Sequence, residues 1–205
     1  MPRRSRLLPT STSKNPVAVA ITGPIGAGKS AALAAFARHG AATISSDETV
    51  HRLLRTDPDV RRELVERFGP EVIGRDGADR AKLAEIVFND SDQLRWLEEL
   101  LHPLVVRDNL AWRSEQESRA DPPRLTVTEV PLLYETGAER RFDVVVVVTA
   151  PDALRRERRP LADDREQRLL PEEEKVALAD YAYLNDGTLD DLDEFVAGVV
   201  AKLAP

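Results

Sequence analysis

Apolar runs alternate with amphipathic stretches along the chain, and their spacing predicts a series of strands and helices. The run VAVAIT at 17–22 is apolar and rich in β-branched residues, which is typical of a strand buried in a parallel sheet. The segment at 142–149 contains five consecutive valines and needs burial on both faces, so it predicts a second such strand. Further strands are predicted at 42–45, 125–130 and 181–185.

Helices are predicted between these strands. One helix should begin near Lys29 and end at Gly40, since glycine often terminates helices. A second, amphipathic helix should close the chain at 188–203. The stretch at about 56–118 is predicted to be a wholly helical insertion, with a helix boundary at Pro103. Strands that alternate with helices in this way predict an α/β fold of three layers with a central parallel sheet.

Composition narrows the class of protein. Of the 205 residues 42% are hydrophobic and 32% are charged, which suits one globular domain rather than a disordered chain. No stretch approaches the roughly 18 to 20 apolar residues that cross a bilayer, so no membrane partner is expected. The chain contains no cysteine, which excludes disulfides, thiolate-bound metals and a cysteine nucleophile.

Charge is distributed unevenly. The formal net charge is −7 at pH 7, although residues 1–15 carry four basic side chains and no acidic one. The rest of the chain is therefore strongly acidic, which argues against nucleic acid as a partner because nucleic-acid binding needs a basic surface. We expect a flexible tail at 1–15, one domain at 16–205 and a cytoplasmic location, since the tail lacks the apolar core of a secretory signal. The oligomeric state stays open.

The segment GPIGAGKS at 23–30 matches the phosphate-loop (P-loop) pattern G-x-x-x-x-G-K-[ST]. It lies between a predicted strand and a predicted helix, which is the context that the motif requires. Glycines let backbone N–H groups approach phosphate oxygens, and the helix N-terminus adds partial positive charge. We expect Lys29 to contact the outer phosphates of ATP and the Ser30 hydroxyl to hold Mg²⁺. The expected binding residues are Gly23, Gly26, Ala27, Gly28, Lys29 and Ser30.

Asp47 follows the predicted strand at 42–45 by two residues. Ligands of parallel α/β sheets bind beyond the carboxyl ends of the strands, so Asp47 is a candidate to orient an acceptor hydroxyl and take its proton. The alternative is that Asp47 caps the next helix, a role that aspartate fills well and that the residues alone favour.

A highly charged segment at about 152–171 contains six arginines among acidic residues. One interpretation is a solvated helical face. The other is a mobile lid whose arginines neutralise a transferring phosphoryl group and exclude water. The residues alone leave both open.

The order of motifs resembles that of the dephospho-CoA kinase family. After the phosphate loop come SDETVH at 46–51, RFGPEV at 67–72, LHPL at 101–104, EVPLLYE at 129–135 and NDGT at 185–188. The resemblance covers about residues 16–203. Its most specific elements are EVPLLYE and the Leu-His-Pro that follows a helical insertion.

This resemblance implies a kinase that uses ATP and magnesium to phosphorylate the ribose 3′-hydroxyl of dephospho-CoA, a small-molecule acceptor. It also implies a nucleotide-binding core, a helical acceptor domain and a lid. Lys29 and Ser30 match the phosphate and magnesium residues, and Asp47 matches the second aspartate of the family's Asp-x-Asp, at the acceptor hydroxyl. Arg158 matches an arginine at the start of the lid. The loop beside the adenine is matched by Asn185 and Gly187.

The chain departs from the family pattern mainly on the acceptor and lid sides. Ser45 and Glu129 stand where aspartates are expected, and Val106 stands where arginine is common. Pro24 replaces a usual glycine of the phosphate loop. The lid is several residues shorter, and Arg165 is the best substitute for its second arginine. Two alternatives therefore stay open: the same chemistry on another hydroxyl, such as that of a nucleoside or nucleotide intermediate, or a non-catalytic nucleotide-binding module.

Overall fold

The computed structural model describes residues 15–88, 90–158 and 170–204. The expected tail at 1–15 therefore lies almost wholly outside the described residues. Residues 159–169 of the expected lid, with Arg165 among them, also lie outside. Within the described ranges, no helix is both long enough and apolar enough to cross a lipid bilayer.

The described ranges contain seven strands and eight α-helices. In chain order these are β1 Val17–Thr22, α1 Lys29–Arg38, β2 Ala42–Ser45, α2 Ser46–Thr56, α3 Pro58–Phe68, β3 Ile73–Gly74, β4 Gly77–Ala78, α4 Arg80–Phe88, α5 Ser91–Glu117, β5 Leu125–Glu129, β6 Val144–Thr149, α6 Asp152–Arg158, α7 Glu172–Leu178, β7 Tyr181–Leu184 and α8 Leu189–Leu203. Two short 3₁₀ helices lie at Pro70–Val72 and Ala138–Arg141.

Five strands form one sheet in the order β2-β5-β1-β6-β7, and every pairing in it is parallel. The two apolar runs that dominate the sequence, β1 and β6, lie side by side in the interior of this sheet, and every residue of β6 is buried. The α/β fold with a central parallel sheet is therefore confirmed. Because β1, β2 and β5 run in the same direction, the segments that follow them leave the sheet at one edge.

Both faces of the sheet are covered. On one face, Phe36 of α1 and Val196 of α8 are fully buried against strand residues such as Val146. On the other face, Leu133 and Phe142 pack on small and branched strand residues, and α7 lies against β6. Two covered faces explain why β1 and β6 are almost wholly apolar rather than alternating with polar residues.

The chain divides into two compact units. The first comprises Met1–Ser45 and Arg113–Pro205, and the second comprises Ser46–Trp112. The second unit contains α2, α3, α4 and most of α5, and its core includes the buried side chains of Leu53, Val60 and Leu64. In the same cluster, the Phe68 ring meets the Trp96 ring edge-on, with the ring centroids 5.2 Å apart.

The expectation that the insertion is wholly helical is wrong. Strands β3 and β4 pair in antiparallel fashion, with Ile73 opposite Ala78 and Gly74 opposite Gly77. The two residues between them form the turn of a minimal hairpin. The sequence carried a weaker signal for it, because Gly74 and Gly77 flank the two turn residues and clustered glycines mark turns.

The expected helix boundary at Pro103 is also wrong, because α5 continues through this residue. A proline inside a helix removes one backbone hydrogen bond and costs about 3 kcal/mol. Leu101 and Val105, which flank Pro103, are both buried in the core of the second unit. Tertiary packing on both sides of the proline therefore outweighs the local preference for a break.

Candidate phosphate-binding site

The glycine-rich segment at 23–28 connects β1 to α1, as the sequence predicted. Gly28 precedes α1 with φ of 101° and has no side chain that caps the helix. The first N–H groups of an α-helix have no partner within the helix, and they carry partial positive charge. Lys29 opens the helix, is 8% exposed, and donates from Nζ to the carbonyl of Pro24 at 2.9 Å. The loop therefore presents backbone donors and an ammonium group in one place.

The glycines of this loop are required by its surroundings. Gly23, Gly26 and Gly28 all have positive φ, a region that other residues rarely adopt. A β-carbon at Gly26 would lie 2.8 Å from the carbonyl oxygen of Arg155, and one at Gly28 would overlap the Asn185 amide nitrogen. The same positions thus need both the special dihedral angle and the absence of a side chain.

Two side chains hold the backbone of the loop by its carbonyl oxygens. Asn185, which is 4% exposed, donates from Nδ2 to the carbonyl of Ala27 at 2.8 Å. Arg158 donates from Nη1 to the carbonyl of Gly26 at 3.2 Å. In a trans peptide the N–H points opposite to the preceding carbonyl, so the Gly28 N–H is turned away from Asn185. Both residues therefore contact the loop, while their expected contacts with a nucleotide stay predictions.

A hydroxyl and a carboxylate meet beside the loop. Ser30 Oγ lies 3.4 Å from each carboxylate oxygen of Glu129, which is 4% exposed at the end of β5. Glu129 pairs in register with Ile21 of β1 on one side and with Ser45 of β2 on the other. Both groups offer oxygen atoms, which hard cations such as magnesium prefer.

Glu129 is the site residue that sequence reasoning missed, because it was treated only as a departure from a family pattern. The available signal was a carboxylate that ends a fully buried strand, LTVTE, next to the strand that leads into the phosphate loop. A buried charge is costly unless a partner or a function compensates it.

The last residue of EVPLLYE has a structural partner. Glu135 Oε1 accepts a hydrogen bond from Lys175 Nζ at 2.7 Å and another from the backbone N–H of Leu170 at 3.0 Å. Lys175 lies in α7 and is 2% exposed. This ion pair fixes the segment after β5 to the chain at 170–175.

Asp47 is the second residue of α2 and its side chain is exposed. A capping residue precedes its helix, and here the preceding residue is Ser45, so Asp47 does not occupy the capping position. It belongs to the second compact unit, and its part in chemistry stays a prediction.

Gly187 immediately precedes Thr188, whose hydroxyl and backbone N–H form a capping box with Asp191 at the start of α8. A β-carbon at Gly187 would lie 2.5 Å from a carboxylate oxygen of Asp191, so the position favours glycine for this reason alone. The proposed contact of Gly187 with a nucleotide also stays a prediction.

A parallel sheet whose central strand leads through GPIGAGKS into a helix defines the P-loop class of nucleotide-binding proteins. Comparison with known proteins narrows this class. The family model for dephospho-CoA kinase matches residues 17–191, so the chain belongs to the dephospho-CoA kinase family and is a kinase.

Individual relatives agree with this assignment. The dephospho-CoA kinase of Chlorobaculum tepidum is 37% identical over 202 residues, a match that covers 92% of this chain and 95% of that protein. The dephospho-CoA kinase of Bartonella quintana is 32% identical over 193 residues and is covered to 97%, against 90% of this chain. The crystal structure of a Thermus thermophilus protein superposes with a TM-score of 0.72 at 32% identity, covering 93% of this chain and 100% of that one.

Proposed function

We propose that this protein transfers the γ-phosphoryl group of ATP to the ribose 3′-hydroxyl of dephospho-CoA. The observation that carries the proposal is the loop at 23–30, in which Lys29 and the N-terminus of α1 offer a set of phosphate-binding donors. Family membership supplies the acceptor, since the matched family and its relatives are named for dephospho-CoA.

We propose that magnesium is held by Ser30 and Glu129 together with phosphate oxygens. Neighbouring ligands of an octahedral magnesium ion lie about 3 Å apart when each ligand is about 2.1 Å from the ion. The 3.4 Å separation of the Ser30 hydroxyl from the Glu129 carboxylate fits this arrangement after a shift of a few tenths of an ångström. The bound ion supplies positive charge that neutralises the phosphates.

In the proposed reaction the acceptor oxygen attacks the γ-phosphorus. A new P–O bond forms to the 3′-oxygen, the bond from the γ-phosphorus to the bridging oxygen breaks, and ADP leaves. Asp47 orients the hydroxyl and accepts its proton. Lys29 and the loop N–H groups hold the β- and γ-phosphates, and Arg158 and Arg165 stabilise the charge on the transferring group.

We also propose a role in this reaction for each part of the chain. The unit that carries the sheet binds the nucleotide, and the helical insertion at about 56–118 binds the acceptor. The segment at about 152–171 serves as a short lid. Because the phosphoryl donor is ATP, we propose that the protein works in the cytoplasm.

The test is an ATP-consumption assay that compares dephospho-CoA with nucleosides, nucleotides and other small hydroxyl compounds, with the position of the new phosphate determined by NMR. We expect turnover with dephospho-CoA and phosphate at the 3′-oxygen. Preferred turnover of another acceptor would replace the proposed substrate. ATP binding without turnover of any acceptor would favour the non-catalytic module.

Two variants separate binding from chemistry. Lys29→Ala should abolish turnover, whereas Lys202→Ala, which removes a lysine of the same unit near the end of α8, should not. Asp47→Asn should lower kcat by about 10² to 10⁴ and leave the KM for ATP nearly unchanged. Normal turnover by Lys29→Ala would remove the phosphate site from the proposal.

A further inference from the structure

A small polar network holds the first turn of α2. Asn109 of α5 donates from Nδ2 to Ser46 Oγ at 3.1 Å, and its Oδ1 accepts from Thr49 Oγ1 at 3.3 Å. All three residues belong to the second compact unit. One amide side chain thus uses both of its polar atoms on one helical turn.

The two hydroxyl residues that Asn109 contacts are almost fully buried: Ser46 is 8% exposed and Thr49 is 3% exposed. They are three residues apart, so they lie on the same face of α2 and address the same neighbouring helix. Asp47 is the residue directly after Ser46, about 100° further around the helix, and its side chain is exposed. The network therefore brackets the backbone of Asp47 without contacting its carboxylate.

We infer that Asn109 is a positioning residue that fixes the helical turn from which Asp47 acts on the acceptor hydroxyl. This inference rests on the proposed role of Asp47. The first turn of a helix lacks half of the hydrogen bonds of its interior and opens more easily, so a reacting carboxylate placed there needs support from outside the helix. Asn109 provides this support at both ends of the turn.

The same two helices share a second polar link, which offers a matched control. Arg52 of α2 donates to the carboxylate of Asp108 at 2.6 Å. Arg52 is more than one turn beyond Asp47, and its side chain is 49% exposed. Loss of this link weakens the contact between α2 and α5 without touching the first turn of α2.

The experiment compares Asn109→Leu with Arg52→Met in steady-state assays and thermal unfolding. Leucine matches asparagine in the number and branching of its side-chain heavy atoms, is bulkier, and makes neither hydrogen bond. Displacement of a reacting group by about 1 Å can cost 10²-fold in rate. We expect Asn109→Leu to lower kcat by about 10- to 100-fold with the KM for ATP unchanged, while Arg52→Met keeps the wild-type kcat. Equal kcat values for the two variants would overturn the inference.

A double variant tests whether Asn109 acts through Asp47. In the Asp47→Asn background, Asn109→Leu should cause little further loss of kcat, because the carboxylate that it positions is already gone. A full additional loss would show that Asn109 acts elsewhere and would overturn the inference. If Asn109→Leu does not fold, Ser46→Ala and Thr49→Val each remove one of the two hydrogen bonds to Asn109, and each should give part of the loss in kcat. Wild-type kcat in both variants would overturn the inference.

The two proposals fail in different ways. A wild-type kcat for Asp47→Asn would remove the proposed role of Asp47 and the positioning role with it. A slow Asp47→Asn enzyme together with a fully active Asn109→Leu enzyme would overturn only the positioning role.

Discussion

The buried ion pair between Glu135 and Lys175 allows a test in which the two partners respond unequally. Glu135→Gln keeps an oxygen that accepts from Lys175 and from the Leu170 N–H, but it removes the negative charge. Lys175 is 2% exposed, so its ammonium group would stay buried without a counter-charge. Breaking a buried pair in this way costs about 3 to 5 kcal/mol. For a protein of this size that loss lowers Tm by about 6 to 20 °C.

The reverse change should cost less. Lys175→Met leaves the Glu135 carboxylate, whose side chain is 16% exposed and therefore reaches water, with its hydrogen bond from the Leu170 N–H. The double variant Glu135→Gln/Lys175→Met has no buried charge, and it should recover most of the stability that Glu135→Gln loses, since a buried pair is worth little more than apolar groups of similar volume.

Thermal and urea unfolding followed by circular dichroism measure these differences. An exposed carboxylate change, Glu117→Gln, serves as the control and should leave Tm close to that of the wild type. If Glu135→Gln and Lys175→Met lose the same amount, or if the double variant is less stable than Glu135→Gln, the burial of the lysine does not decide the energetics and the reasoning is refuted.

Three further changes have clear expectations. Glu129→Gln should raise the Mg²⁺ concentration needed for half-maximal activity; an unchanged requirement would remove this carboxylate from the metal site. Gly28→Ala should abolish ATP binding in a nucleotide titration, because the new methyl group overlaps Asn185 and φ is 101°; wild-type affinity would contradict the loop geometry. Burial alone would raise the pKa of Asp108, but hydrogen bonds from arginines outweigh it and hold the pKa below its ordinary value. Asp108→Asn should therefore lower the unfolding free energy at pH 7 by less than about 1 kcal/mol, and the difference from wild type should shrink as the pH falls below about 4. If the difference in unfolding free energy grows instead as the pH falls, the pKa of Asp108 is raised rather than lowered on folding, and this reasoning is wrong.

The interior strands β1 and β6 could be predicted from sequence because they are short apolar runs rich in β-branched residues. Val17–Thr22 and Ala42–Ser45 were predicted with their observed bounds, and the phosphate loop was located by spacing alone. The structure of the insertion at about 56–118 was harder to predict. Pro103 breaks a helix in isolation, and only the packing of its buried neighbours, which no local pattern reports, keeps α5 continuous.

Some residues of the candidate site could likewise be predicted from the sequence, and others could not. Residues within one motif, such as Lys29 and Ser30, were found because their chemistry depends on adjacent positions in the chain. Glu129 and Asn185 reach the loop from strands and turns that are about 100 residues or more away in sequence. Their contacts depend on strand order, which the sequence pattern did not specify. For Asn109 no sequence signal existed, since an asparagine within a long helix is usually solvated.

Pro24 has a thermodynamic consequence for nucleotide recognition. Its ring fixes one backbone dihedral angle, and its carbonyl accepts from both the Ala27 N–H and the Lys29 ammonium. Much of the disorder that a glycine at this position would have to lose on binding is therefore already lost when the protein folds. Calorimetry of ATP binding should accordingly show a less unfavourable entropy for this protein than for its Pro24→Gly variant, with the heat of binding little altered.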